Sequence, residues 1–318
     1  MPRVLLTRRL PDAVIAAAEA VAEVEMRDNT VPMNPGECAG ALTVYDGIVP
    51  TLGDAFNAVA FDKVGSPRCK ILANFGVGYN HIDVDAAKAA GLVVTNTPGA
   101  VTDATADIAI TLMLMTARRA GEGERLLRAG KWDGWHPTQL LGMHLGGKVL
   151  GIIGMGRIGK AIAKRAHLGF GMEVVFYNRS AVPDPGVPAR QLPDLRAVCE
   201  AADVVVLAVP ATPDTHHLMN ADLLIAMKPT THLINIARGD VVDEAALIDA
   251  LQAGQIAGAG LDVYEFEPKV PEALIRMENV TLLPHLGTAA LEVRTSMGLM
   301  AVDNLRTFFA KGAPPNLV

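Results

Sequence analysis

Three short segments each set one ionisable side chain behind an apolar run: Asn235-Ile236-Ala237-Arg238-Gly239, Leu261-Asp262-Val263-Tyr264-Glu265-Phe266-Glu267-Pro268 and Leu283-Pro284-His285-Leu286-Gly287. An imidazole passes a proton near neutral pH, a neighbouring carboxylate favours its charged form, and a guanidinium offers a planar fork to an anion. Alone, each of Arg238, Glu267 and His285 fits a surface ion pair or a loop end. As an ordered set behind strands they point to a ligand site at the edge of an open sheet. His81, His136, His144, His167, His216, His217 and His232 lack comparable surroundings and read as structural, although His136 could line a substrate loop.

Upstream, Gly154-Met155-Gly156-Arg157-Ile158-Gly159 follows the apolar run Val149–Ile153 and opens a helical pattern, Lys160-Ala161-Ile162-Ala163-Lys164. In a strand-turn-helix context the first glycine permits the tight turn, the second admits a pyrophosphate and the third lets helix and strand pack closely. The anion then sits on backbone amides at the helix N-terminus. A glycine turn with no ligand is the alternative. The following strand ends Asn178-Arg179-Ser180, where folds selective for NAD place an acid. With Arg179 able to pair with a 2′-phosphate and Ser180 able to donate to it, the expected cofactor is NADP(H), with NAD(H) left open. Arg179 as a solvated strand end is the competing reading.

The elements that must position these groups are legible as alternating short apolar runs and helical patterns along the 318 residues, enough for two domains. Strands are expected near Val4–Thr7, Val44–Val49, Lys70–Asn74 and Leu92–Thr95, and again at Val149–Ile153, Glu173–Tyr177, Asp203–Val209, His232–Ile236, Ala259–Val263 and Val280–Leu283. Between the two sets, a helix capped by Thr102 or Asp103 should run to Arg119 and stop at Gly121. A final helix, Ala289–Phe309, has no strand of its own and is expected to return to the first block.

The net charge of −6, from 28 basic and 34 acidic residues, argues against nucleic acid or an anionic membrane surface as partner. Cys38, Cys69 and Cys199 are too few and too scattered for a disulfide framework, and no metal site is expected. With no signal-like start and no long uncharged apolar run, a cytoplasmic protein is expected.

Taken together, the glycine turn and the three later segments resemble the D-isomer-specific 2-hydroxyacid dehydrogenases. Asn74-Phe75-Gly76-Val77-Gly78-Tyr79-Asn80-His81-Ile82-Asp83 and the stretch from Thr97-Pro98-Gly99 to Thr105-Ala106-Asp107 extend the likeness over nearly the whole chain. Within the family, Asn178-Arg179-Ser180 and the loop Lys131-Trp132-Asp133-Gly134-Trp135-His136-Pro137 bring it nearest to glyoxylate/hydroxypyruvate reductases and 2-ketogluconate reductases. The resemblance implies hydride transfer between a nicotinamide and a 2-oxo or 2-hydroxy acid, with His285 as proton donor, Glu267 as its partner, and Arg238 binding the carboxylate and polarising the carbonyl. It further implies substrate contacts from the Val77 and Gly78 amides. Thr105, Val209, Pro210, Thr215, Ile236, Ala237, Asp262 and Gly287 would stand along the cofactor, together with Gly154–Gly159 and Asn178–Ser180. Trp135 either closes the substrate pocket, its own or a partner subunit's, or packs in an ordinary core or interface.

The reading is thus an α/β chain of two doubly wound parallel sheets: a Rossmann cofactor domain, 99–287, inserted in a flavodoxin-like substrate domain, 1–98 and 288–318. The active site is expected in a closing cleft, and a homodimer is expected through the apolar helix after Thr102. A dinucleotide-sensing protein of the corepressor kind remains the alternative from another class, disfavoured by the absence of an appended tail. Phosphoglycerate and formate dehydrogenases are minor options, because neither a regulatory domain nor an added basic cluster is present.

Overall fold

A computed structural model describes all residues from Met1 to Val318, and its contacts divide them into two compact units, Met1–Val101 with Ala289–Val318 and Thr102–Thr288. In the first unit β1 (Arg3–Leu6), α1 (Asp12–Glu19), β2 (Glu23–Met26), α2 (Pro35–Val44), β3 (Gly47–Val49), α3 (Ala58–Asp62), β4 (Ile71–Ala73), α4 (Val84–Ala89) and β5 (Val93–Thr95) alternate. Their parallel strands lie in the order β2-β1-β3-β4-β5, the flavodoxin-like arrangement. The expected strand at Val44–Val49 is shorter, because Val44 closes α2. That helix is nucleated by a capping box in which Asn34 and Glu37 satisfy each other's backbone amides, with Pro35 in the first turn.

The second unit runs α5 (Thr102–Ala117), α6 (Ala120–Arg128), β6 (Val149–Ile153), α7 (Arg157–Phe170), β7 (Glu173–Tyr177), β8 (Ala189–Gln191), α8 (Leu195–Ala201), β9 (Val204–Leu207), α9 (Ala221–Ile225), β10 (His232–Asn235), α10 (Glu244–Gln252), β11 (Gly258–Leu261), α11 (Glu272–Arg276) and β12 (Val280–Leu282). Its seven-stranded parallel sheet has the order β12-β11-β10-β9-β6-β7-β8, which reverses direction between β6 and β9. Alternation along each strand divides the core in two. Leu150, Ile152, Val174, Phe176, Val206 and Ile234 pack with α5 and α7, whereas Val175, Val205, Leu207 and Leu233 pack on the opposite face.

Two expectations about α5 are corrected. Thr102 is already helical, and Asp103 with Asp107 accepts Arg165 of α7 at 2.9 and 2.7 Å instead of capping the helix. The helix ends at Ala117, whose carbonyl accepts Met143 N at 2.7 Å. Arg119, not Gly121, takes the left-handed conformation (φ 53°), and Gly121 lies inside α6.

The last helix, α12 (Leu291–Lys311), belongs to the first unit and packs on α1 and β4. Gly298 sets that approach, since a Cβ there would fall 2.4 Å from Val14 Cγ2. Ala301, Val302 and Leu305 complete a core with Val4, Leu6, Val14 and Ile71. No helix is long and apolar enough to cross a membrane.

Candidate active site

Because all seven strands of the second unit run parallel, the segments leaving β6, β7, β9, β10, β11 and β12 emerge on one edge of the sheet, where ligands of open α/β sheets bind. At the reversal point, Gly154 has φ 102°, and a Cβ on it would meet the Ala208 carbonyl oxygen at 2.6 Å. A Cβ on Gly159 would lie 2.2 Å from the Gly154 oxygen, so α7 packs on the turn only because residue 159 is glycine. Gly156, the residue preceding α7, has open space over its Cα. The amides of Gly156, Arg157 and Ile158 open the helix without intrahelical partners. A dinucleotide pyrophosphate fits this cradle.

Met155 N donates to Asn178 Oδ1 at 3.2 Å, while Asn178 Nδ2 reaches the Ser180 carbonyl at 3.0 Å. Asn178 therefore braces the glycine turn from the next strand. Arg179 and Ser180 are exposed, and no acid pairs with Arg179. Beyond β9, Val209 is half-buried and Pro210 exposed, and Thr215 Oγ1 donates to the Pro210 carbonyl at 2.7 Å, closing that loop around a single 3-10 turn.

His285 Nδ1 lies 2.9 Å from Glu267 Oε2. The other carboxylate oxygen accepts Tyr264 N at 3.1 Å, so the acid is held from two sides. Tyr264 also ties the loop after β11 to the end of β12, its hydroxyl donating to the Leu283 carbonyl at 2.9 Å. Burial pushes the Glu267 carboxyl up, but the hydrogen bond and charge of His285, the Tyr264 amide and Arg238 outweigh it and hold the acid below its ordinary range. Glu267 is thus a carboxylate at neutral pH.

His285 itself has φ 56°, a conformation rare outside glycine. Its amide donates to the Asp262 carbonyl at 2.9 Å, and the Asp262 carboxylate accepts Leu286 N at 2.6 Å and Gly287 N at 2.8 Å. Thr105 Oγ1 adds a 3.2 Å bond to the Gly287 carbonyl. Burial raises the Asp262 carboxyl against the pull of its two amide partners. Both residues expected along the cofactor, Thr105 and Asp262, are engaged here in shaping the His285 loop.

Arg238 follows β10 through Ile236 and Ala237. Asn235 folds this segment by accepting Ala237 N at 3.0 Å and donating to the Arg238 carbonyl at 2.9 Å, and Arg238 Nη1 bonds the Ala237 carbonyl at 2.7 Å. Burial draws the guanidinium below its ordinary value, while Glu267 and Asp240 oppose that shift. Gly239 permits the loop to press on the Tyr264 turn, because a Cβ would fall 1.8 Å from the Tyr264 carbonyl carbon.

Arg238, Glu267 and His285 therefore occupy neighbouring strand ends of one unit. Val77 and Gly78 lie in the other unit, where Asn96 Nδ2 donates to the Val77 carbonyl at 2.9 Å and Asn74 Nδ2 to the Gly78 carbonyl at 3.0 Å. Both bonds use the carbonyls, and neither engages the Val77 or Gly78 amide. Trp135 is 79% exposed on the loop between α6 and β6, so it is not a core residue of its own chain. No group of three metal-ligating side chains converges anywhere, and the three cysteines are free and buried. Asn235 and Tyr264 were missed by sequence reasoning, since their work is done through backbone partners that no spacing reveals.

A doubly wound sheet with a glycine cradle and an imidazole–carboxylate pair at its edge defines a nucleotide-dependent oxidoreductase. The profile of the D-isomer specific 2-hydroxyacid dehydrogenase NAD binding domain matches residues 110–287. A glyoxylate reductase of Thermococcus litoralis is 41% identical over 322 residues, spanning 100% of this chain and 96% of that protein. The solved structure of an NADPH-dependent glyoxylate/hydroxypyruvate reductase from Sinorhizobium meliloti, bound to NADP and malonate, is 38% identical with a TM-score of 0.87, covering 100% of this chain and 96% of that one. A Thermus thermophilus protein of 42% identity gives a TM-score of 0.91 over 99% of both chains. The chain belongs to the D-isomer specific 2-hydroxyacid dehydrogenase family, and it carries that family's NAD(P)-binding domain.

Proposed function

We propose that this protein reduces small 2-oxo acids, glyoxylate and hydroxypyruvate foremost, to 2-hydroxy acids at the expense of NADPH. The observation that carries the reading is the 2.9 Å His285–Glu267 pair beside a half-buried Arg238, on the sheet edge that also bears the glycine cradle. Bound there, the nicotinamide supplies the hydride that reduces the 2-carbonyl carbon. Arg238 binds the substrate carboxylate and sets positive charge next to the carbonyl oxygen as that oxygen becomes negative. Glu267 accepts from His285 Nδ1–H, leaving Nε2 to deliver the proton to the same oxygen.

Preference for NADPH is supported by Arg179, which is exposed and free of acidic partners, and by Asn178, which presents no carboxylate to a 2′-phosphate. The name of one solved neighbour, NADPH-dependent glyoxylate/hydroxypyruvate reductase, points the same way, and glyoxylate reductase, the name of the Thermococcus litoralis relative, supports the substrate. A steady-state panel of glyoxylate, hydroxypyruvate, 2-ketogluconate and pyruvate with NADPH and NADH tests the reading. Turnover of the first two with NADPH is expected; a higher kcat/KM with NADH would overturn the cofactor assignment, and no turnover at all would favour a dinucleotide-sensing protein.

We further propose a cytoplasmic homodimer. Trp132, Trp135, Leu127 and Leu141 stand 51–79% exposed along one stretch of the second unit, an apolar surface that a second copy would cover. Light scattering on purified protein gives the mass that decides it.

A further inference from the structure

Next to the His285–Glu267 pair, the same unit builds another imidazole–carboxylate pair to which the proposed chemistry gives no task. His217 Nε2 lies 2.9 Å from Glu265 Oε1, with the two side chains 35% and 14% exposed. The ring stacks on His216 at 4.0 Å between centroids, and residue 217 takes a left-handed backbone, φ 49°. His217 N donates to the Asp240 carbonyl at 2.8 Å and Met219 N to the Val241 carbonyl at 2.9 Å. The chain at 217–219 therefore runs beside the residues that directly follow Arg238. On the other side, Glu265 N donates to Glu244 Oε1 at 3.1 Å, anchoring the turn that ends in Glu267. Through its backbone His217 holds the Arg238 loop, and through its ring it holds the Glu267 turn.

We propose that His217 is a positioning residue, whose bond to Glu265 clamps these two loops together and so fixes where the Arg238 guanidinium meets a substrate carboxylate. The inference rests on the 2-oxo acid reading above. A partly exposed pair contributes little to global stability, so its effect belongs in the register of the two loops. His217→Asn suits the left-handed backbone but falls short of Glu265, whereas His217→Gln returns an N–H donor within reach.

The test measures KM and kcat for hydroxypyruvate, the Kd of NADPH, the thermal midpoint, and calorimetric binding of oxamate, an unreactive 2-oxo acid analogue, to the NADPH-loaded protein. For H217N, KM and the oxamate Kd should both rise about 10-fold, with NADPH affinity and the thermal midpoint unchanged. H217Q should recover most of the loss, and H217N combined with Glu265→Ala, which removes the acceptor, should be no worse than the poorer single variant. An unchanged KM, a parallel loss of NADPH affinity, or additive effects would overturn the clamp. If H217N proves unstable, Glu265→Ala, which removes the acceptor, against H217Q makes the same comparison. Wild-type protein that neither turns over a 2-oxo acid nor binds oxamate overturns the functional reading and the clamp with it, whereas an active wild type with an unaffected H217N overturns the clamp alone.

Discussion

His285 is held in a left-handed backbone, with its amide and the next two fastened to Asp262, and its ring is fixed by a carboxylate whose charged form burial alone would disfavour. Such strain persists only where surrounding bonds over-determine it. On the proposed mechanism, replacing Arg238 by Ala removes both the fork for the substrate carboxylate and the charge beside the developing oxyanion, so kcat/KM should fall about 10³-fold; a loss under tenfold would deny it that place. Glu267→Gln keeps the shape but not the charge that orients the His285 ring, and kcat/KM should fall about tenfold. Its stability signature has a defined sign. A carboxyl held below its ordinary 4.5 contributes stability above that pH and loses it as pH falls through the depressed value, so the Gln variant should lose less stability on acidification. The places of Arg238, Glu267 and His285 behind neighbouring strand ends were readable in the sequence because each lies in a segment that leaves an apolar strand. His217 was not, since its partner is 48 residues away and the neighbours that give it meaning are backbone atoms.

Among the elements, the buried parallel strands were legible as unbroken apolar runs, and the glycine turn lay between strand and helix as its spacing required. The strands β2 and β8 escaped notice because both are sheet edges, and Glu23-Val24-Glu25-Met26 and Ala189-Arg190-Gln191 carry no such run. The break after α5 was misplaced for another reason: the residue taking φ 53° is an arginine, while the nearby Gly121 continues a helix. Close approach of loops is equally silent in sequence. Gly239 lets the segment behind β10 touch the Tyr264 turn, and Gly239→Ala should cost about 2–3 kcal/mol of stability in urea unfolding, since the methyl group would overlap backbone and not a yielding side chain. A variant as stable as the parent would mean that the two loops separate freely.

On the scale of the molecule, the two-sheet plan followed from the alternation of runs, and the return of α12 to the first unit from the lack of any strand beside it. A buried group far from the chemistry sets one whole-chain property. His232 opens β10, 8% exposed, and burial lowers its pKa from 6.5 to about 4. A depressed imidazole favours the folded state above its unfolded value, and that stability is lost as pH falls from 6.5 toward 4, by about 3 kcal/mol in all. His232→Gln should flatten urea stability over that window, and an unchanged pH dependence would place the titration elsewhere. The central claim is that an imidazole at this sheet edge protonates a 2-oxo acid reduced beside it. It is tested most directly by kcat/KM for hydroxypyruvate in His285→Ala, measured together with the Kd of NADPH. A loss of about 10³-fold with cofactor affinity unchanged is predicted; turnover near that of the parent protein would contradict it.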